Sequence, residues 1–162
     1  MNAGKNLRGL SLFANIGIAE SMIRYVDILI ANEVDPLRSK FYKDVYPNTK
    51  VICGDIRDVK VYRSIIQQSL EARVDFIMAT PPCQGMSTIG KLHYMDERNQ
   101  LIYYAIKVIK KIKPKYILLE NVPQQLRTTI LVNKKKVLIP EYIQSSLKND
   151  YIVSEQVINA AD

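Results

Sequence analysis

Leu7-Arg8-Gly9-Leu10-Ser11-Leu12-Phe13-Ala14-Asn15-Ile16-Gly17 reads as a short apolar strand, over about 7–13, that closes into a turn and opens a helix at about 17–24. The same unit recurs along the chain. Further strands are expected at about 27–31, 50–53, 74–78, 116–119 and 151–157, and further helices at about 36–45, 59–71, 99–111 and 140–148. Short apolar strands alternating with helical patterns predict an α/β fold, a doubly wound and mostly parallel sheet with helices on both faces. In such sheets ligands bind beyond the carboxyl ends of the strands, near the point where strand order reverses. No internal repeat, low-complexity tract or domain boundary interrupts the pattern. The segments expected to be most mobile are 88–97 and 127–138; the latter carries Lys134-Lys135-Lys136, a solvated turn or a phosphate contact.

A chain of 162 residues with 48% hydrophobic content can bury the core of one domain. Its 23 Lys+Arg against 16 Asp+Glu give a net charge of +7, which favours a polyanionic partner without identifying one. No apolar run reaches the roughly 18 residues of a membrane span, and the start lacks a signal-peptide core, so a cytoplasmic protein with no membrane partner is expected. The two cysteines, Cys53 and Cys83, lack Cys-x-x-Cys spacing, and His93 is the single histidine. Neither a disulfide framework nor a metal site is therefore expected. Cys53 reads as a small buried hydrophobe.

Two segments carry chemistry. Pro81-Pro82-Cys83-Gln84-Gly85-Met86-Ser87 follows one expected strand, and Glu120-Asn121-Val122 follows another, Tyr116 to Leu119. A cysteine thiolate is a strong nucleophile that can later depart, and a carboxyl group kept protonated by burial can neutralise charge that develops on a ring under attack. Packing does not require a double proline or the Gln-Gly-x-Ser tail, whereas a lone cysteine or glutamate after a strand would be a core residue or a helix cap.

Both segments resemble the Pro-Cys-Gln and Glu-Asn-Val motifs of the DNA cytosine-5 methyltransferases, and the resemblance covers nearly the whole chain. It implies a Rossmann-like, S-adenosylmethionine-dependent fold and a restriction-modification role. The substrate it implies is double-stranded DNA holding a specific cytosine site. Cys83 would add to C6 of a flipped cytosine, making C5 nucleophilic, and Glu120 would protonate toward N3. Asn121 would position the loop or meet the exocyclic amine, and Pro82 would hold the base edge through its carbonyl. The resemblance places Gln84 and Ser87 against DNA, on a closing loop that runs from Gly85 to Lys91, and adds Lys91 as a DNA contact. Arg98 would reach phosphate or cofactor, or else form a surface salt bridge.

On the cofactor side, Ser11 to Gly17 resembles Asp-Leu-Phe-x-Gly-x-Gly-Gly but departs from it at Ser11, Asn15 and Ile18. Asn tolerates a left-handed backbone, so the turn can survive at Asn15, although its side chain takes space that glycine leaves to a ligand. Phe13 would lie against the cofactor or pack the strand end. With Ile16, Gly17, Val34 and Pro81 it completes the apolar and backbone part of the expected site. Glu33 would accept both ribose hydroxyls, or cap the helix opening at Pro36, a task for which Asp35 is better placed. Asp55 would take the adenine amino group and Ile56 the face of its ring. The spacing of these signals favours S-adenosylmethionine over NAD, which would show a full Gly-x-Gly-x-x-Gly.

The chain therefore reads as the N-terminal, truncated catalytic domain of a methyltransferase over 1–162, with a cofactor half at about 7–72 and a catalytic half at about 73–162. The family's Gln-x-Arg-x-Arg motif, last sheet strand, target-recognition region and C-terminal Gly-Asn-x-Val segment have no counterpart in it. Unpaired sheet edges and a second polypeptide supplying the remainder are expected. Two other readings stay open: an RNA (tRNA) cytosine-5 methyltransferase, and an inactive binding subunit.

Overall fold

The computed structural model describes residues 6–82, 100–133 and 135–159. Cys83, Gln84, Ser87, Lys91, His93, Arg98, the closing loop and the segment 88–97 lie outside the described residues. The chain divides into two compact units, Met1–Pro81 with Tyr103–Glu120, and Pro82–Ile102 with Asn121–Asp162.

The first unit is built on five parallel strands, β1 (Leu7–Leu12), β2 (Val26–Glu33), β3 (Lys50–Cys53), β4 (Phe76–Ala79) and β5 (Tyr116–Leu119), in the order β3-β2-β1-β4-β5. Four helices connect or follow them, α1 (Ile18–Ser21), α2 (Pro36–Val45), α3 (Val59–Glu71) and α4 (Leu101–Ile112). The expected doubly wound α/β architecture is thus present. Right-handed crossovers carry α1 and α2 over one face and α3 and α4 over the other. Tyr42 of α2 accordingly buries with Ala14 and Ala31, while Lys107 of α4 lies over the Tyr62 ring of α3. Strand order reverses between β1 and β4, whose central residues Leu10, Leu12, Ile77 and Ala79 are wholly buried.

Local chemistry starts these helices where the sequence predicts. Pro36 occupies the first turn of α2, and the Asp35 carboxylate accepts from the backbone N–H groups of Leu37 and Arg38 at 2.8 and 3.0 Å. Asp58 caps α3 in the same way through Lys60 and Val61. The expected helix at 17–24 is shorter, because Tyr25 turns into a left-handed conformation (φ 65°) and β2 begins at once.

The amino ends of three strands meet at Asp75. Its carboxylate accepts from the Arg8 backbone N–H at 2.6 Å and from the Arg8 guanidinium at 3.0 Å. Its carbonyl accepts from Lys115 and Tyr116, and its own N–H donates to the Arg8 carbonyl. One residue thereby sets the register of β4 against both neighbours.

The second unit, among its described residues, holds a 3-10 turn at Pro123–Arg127, strands β6 (Thr129–Val132) and β7 (Lys135–Leu138), and helix α5 (Ile139–Leu147). Ile130, Ile139, Tyr142 and Leu147 form its core. The segment 127–138, expected as a mobile connection, is largely an antiparallel hairpin in which Val132 faces Lys135 and Leu131 faces Lys136. The lysine run masked the β-branched pattern on either side of Asn133, whose left-handed backbone (φ 50°) begins the turn.

Two further expectations are corrected. Residues 151–157 form no strand: no ladder among the described residues includes them, and Ile152 is 102% exposed, so an extended segment there gains no ladder bonds. Cys53 is exposed, not buried, because it ends β3, an edge strand.

Replacing Asp75 by Ala leaves the half-buried Arg8 N–H and guanidinium without their acceptor and is expected to destabilise the fold by about 2 kcal/mol. Urea denaturation followed by circular dichroism measures this directly. An Asp75→Ala midpoint equal to the parent's would show that the junction does not set the register.

Candidate functional site

The turn leaving β1 is held in an unusual backbone. Phe13, Asn15 and Gly17 all have positive φ, at 60°, 51° and 81°. Left-handed geometry is rare for a side chain as bulky as Phe, and it persists only where the surroundings over-determine it. Here they do. The Asn15 N–H donates to Glu33 Oε2 at 2.9 Å, the Thr80 hydroxyl donates to the Phe13 carbonyl at 3.2 Å, and the Tyr46 hydroxyl donates to the Gly17 carbonyl at 2.6 Å. A Cβ on Gly17 would fall 2.3 Å from Tyr46 Cε2, so no larger residue fits this turn as it stands. The backbone expected at Asn15 is present, and its side chain is exposed.

Glu33 ends β2 and is 5% exposed. Its Oε1 accepts from the Asp35 N–H at 2.9 Å while Oε2 holds Asn15, so it supports both the approach to α2 and the β1 turn, and Asp35 does the capping. Each oxygen keeps a second lone-pair direction. Beside it Val34 is 58% exposed, Phe13 and Ile16 are half-buried, and Pro81 is buried.

One strand over, Glu33 is in register with Cys53, which places Asp55 and Ile56 next along the same edge of the sheet. Asn32 Nδ2 draws that turn in by donating to the carbonyls of Ile52 and Gly54 at 2.9 and 3.0 Å. Ile56 is only 2% exposed. Asp55 receives the Arg57 guanidinium at 2.6 Å, and this pairing holds its carboxyl below the ordinary carboxylate range.

The two chemical segments leave neighbouring strands. Ala79 of β4 is in register with Leu119 of β5, and the Glu120 N–H donates to the Ala79 carbonyl at 3.1 Å. From Ala79 the chain runs through Thr80 and Pro81 into Pro82-Cys83. Glu120 is exposed, so the burial expected to keep it protonated is not supplied by the described residues. In the second unit Pro82 and Asn121 are half-buried, and Asn121 Oδ1 accepts from the Val122 N–H at 2.8 Å.

Sequence reasoning missed three side chains that shape the β1 turn: Thr80, Tyr46 and, beneath it, Glu20. Ser11, where the family pattern has Asp, was the available signal for the last of these. A cavity of about 510 Å³ lined by Glu20, Val26, Ile28, Tyr46 and Thr49 follows the amino-terminal half of β2. Among the described residues no His, Cys, Asp and Glu cluster could hold a metal ion, and no helix is long and apolar enough to cross a membrane.

Comparison with known proteins gives the family and the fold. Residues 7–162 match the family model for C-5 cytosine-specific DNA methylase. The chain is 41% identical over 165 residues to the type II methyltransferase M1.HgaI of Avibacterium volantium, covering 98% of this chain and 46% of that protein. It is 30% identical over 159 residues to the type II methyltransferase M.XorII of Xanthomonas oryzae pv. oryzae, covering 95% of this chain and 36% of that one. The chain thus spans less than half the length of either relative. A mutant of Spodoptera frugiperda DNMT2 shares the fold with a TM-score of 0.61 at 24% identity, over 90% of this chain and 41% of its own.

The lowered pKa of Asp55 generates a prediction. A depressed folded-state pKa contributes stability above the unfolded value and loses it as pH falls through the folded one; for a pair this exposed the contribution is small. In a carbon-detected NMR titration Asp55 should titrate below 3.8 in the parent and return toward 3.8 in Arg57→Ala. An unchanged Asp55 titration in that variant would remove the ion pair as the cause.

Proposed function

Because this chain belongs to the C-5 cytosine-specific DNA methylase family, we propose that it carries the chemistry that methylates C5 of cytosine in double-stranded DNA, in the cytoplasm, as part of a restriction-modification system. The observation that carries this reading is the pairing of β4 with β5, which brings the start of the Pro81-Pro82-Cys83 segment beside Glu120 at the carboxyl end of the sheet. On this reading a nucleophile and an acid far apart in sequence serve one base.

C5 of cytosine is weakly nucleophilic. Addition of the Cys83 thiolate at C6 pushes the ring electrons toward N3 and C5, and Glu120 gives N3 its proton, so no full charge builds on the ring. With the methyl group on C5, β-elimination removes the C5 proton to water and expels the Cys83 thiolate from C6, while N3 returns its proton to Glu120, which restores the aromatic ring. Pro82 holds the base edge through its carbonyl and Asn121 orients the loop or meets the exocyclic amine. Glu120 is exposed among the described residues, so its proton depends on desolvation by the bound base and the loop that closes over it. None of this is possible in a stacked duplex, so the base is flipped, with Gln84, Ser87 and Lys91 meeting the DNA and Arg98 reaching phosphate or cofactor.

The residues at the ends of β1, β2 and β3 fit S-adenosylmethionine, which when bound supplies the methyl group on a sulfonium. Glu33 has lone pairs left for the ribose hydroxyls, and Val34 offers exposed aliphatic surface beside it. Asp55 accepts the adenine amino group by giving up part of its Arg57 pairing, and Ile56 backs that turn. Phe13, Asn15, Ile16, Gly17 and Pro81 line the turn beneath the methionine end. The outer side of β5, where Tyr116 is 59% and Leu118 44% exposed, supports further polypeptide covering this edge, on the same or a second chain. An RNA substrate would use the same Cys83 and Glu120; the DNA reading is preferred because the family is a DNA methylase family.

A duplex carrying 5-fluorocytosine across many contexts, with S-adenosylmethionine, traps the Cys83 adduct because fluorine blocks elimination. The adduct should form with the chain supplied with its downstream coding sequence, vanish in Cys83→Ser, and form on DNA in preference to tRNA. Absence of adduct under all conditions, with cofactor binding intact, would favour a binding subunit, and adduct on tRNA alone would favour the RNA reading.

A further inference from the structure

Glu20 is the buried acid that the proposed chemistry leaves unused. It sits in α1, is 8% exposed, and its Oε1 accepts from the Ser11 hydroxyl at 2.5 Å and from the Tyr42 hydroxyl at 3.3 Å. Its Oε2 is buried with no hydrogen-bond partner. Ser11 is wholly buried in the last turn-ward stretch of β1, two residues before the left-handed Phe13. The hydroxyl stands on β1, and a carboxyl group reaches it from α1.

We propose that Glu20 is a positioning residue for the cofactor turn, tying the buried end of β1 at Ser11 to Tyr42 from α1. The inference rests on the S-adenosylmethionine reading given above. Three residues in five are left-handed between Phe13 and Gly17, and the turn keeps that shape only while it is tethered on every side. Glu33 and Thr80 hold it from the sheet, and Tyr46 holds Gly17 from α2 and its following residue. Beneath the turn the tether is Ser11–Glu20–Tyr42, and Tyr42 and Tyr46 stack with ring centroids 4.8 Å apart. Glu20 therefore fixes both the strand end from which the turn leaves and the tyrosine pair on which Gly17 rests. The two substitutions form a reciprocal pair, since either alone leaves two carboxylates or none at a buried spot suited to one.

The test is the swap, read by binding and by amide exchange and not by turnover. S-adenosylmethionine affinity is measured by calorimetry for the full chain, Glu20→Ser, Ser11→Asp, the double variant and Glu20→Gln. Each of the two swap singles should weaken binding by about tenfold or more, and the double variant should recover to within about threefold of the parent, a coupling expected of contacting residues. Without ligand, exchange at the Asn15 and Gly17 amides should accelerate in the singles and slow again in the double. Glu20→Gln, whose Oε1 still accepts from the Ser11 and Tyr42 hydroxyls, should bind within about threefold of the parent. Folded singles with parental affinity, a double variant no better than the singles, or a Glu20→Gln chain that binds as weakly as Glu20→Ser would each overturn the inference. A parent chain that binds no S-adenosylmethionine would overturn the cofactor reading itself, and the inference with it.

Discussion

The structure depends on β1 lying between β2 and β4. Parallel strands present their carboxyl ends on the same side, and the order β3-β2-β1-β4-β5 makes the connections from β1 diverge from those of β4. A gap opens only there, because right-handed crossovers send the helices on either side of β1 to opposite faces. The side chains argued to matter in the first unit are consequently gathered by backbone ladder bonds before any of them makes a contact of its own. Asp75 at the other end of the ladder sets the register that this gathering requires.

On that frame the cofactor turn is a balance between strain and tethering. The family pattern relies on glycines, which adopt left-handed backbone without a steric penalty. Here Asn15 replaces one of them and Phe13 is left-handed as well, so the turn is held by a carboxylate, two hydroxyls and a tyrosine ring instead. The geometry survives a loss of conformational freedom because the neighbouring side chains take over the constraint. Gly17 remains as the residue with no room for a Cβ.

Much of the fold was legible along the chain. The bounds of α2 and α3 follow from Pro36, Asp35 and Asp58, since capping is a local interaction over three residues. Residues 151–157 misled because their apolar pattern reports a wish to be buried, and burial requires a partner strand that no described residue provides. Cys53 misled for the reverse reason: it follows two apolar residues, but the strand it ends lies at the sheet edge. The hairpin of β6 and β7 was hidden by its lysines, which stand opposite Val132 and Leu131. Glu20 left no signal of its own, because a glutamate within four helical residues looks like a surface charge until Ser11 is seen across from it.

Sequence alone determined the strands of the first unit, their order along the chain, and the kind of chemistry available: strand and helix periods, caps, the Pro-Pro-Cys and Glu-Asn segments and the departures at Ser11 and Asn15 are all local facts. Which of these residues meet was decided by the tertiary structure. Glu120 comes beside the end of β4 because two parallel strands pair in one register, and Glu20 meets Ser11 because α1 folds back beneath β1. Hydrogen bonds and ion pairs act over about 3 Å, and a chain can name the partners but only its fold can bring them within that distance.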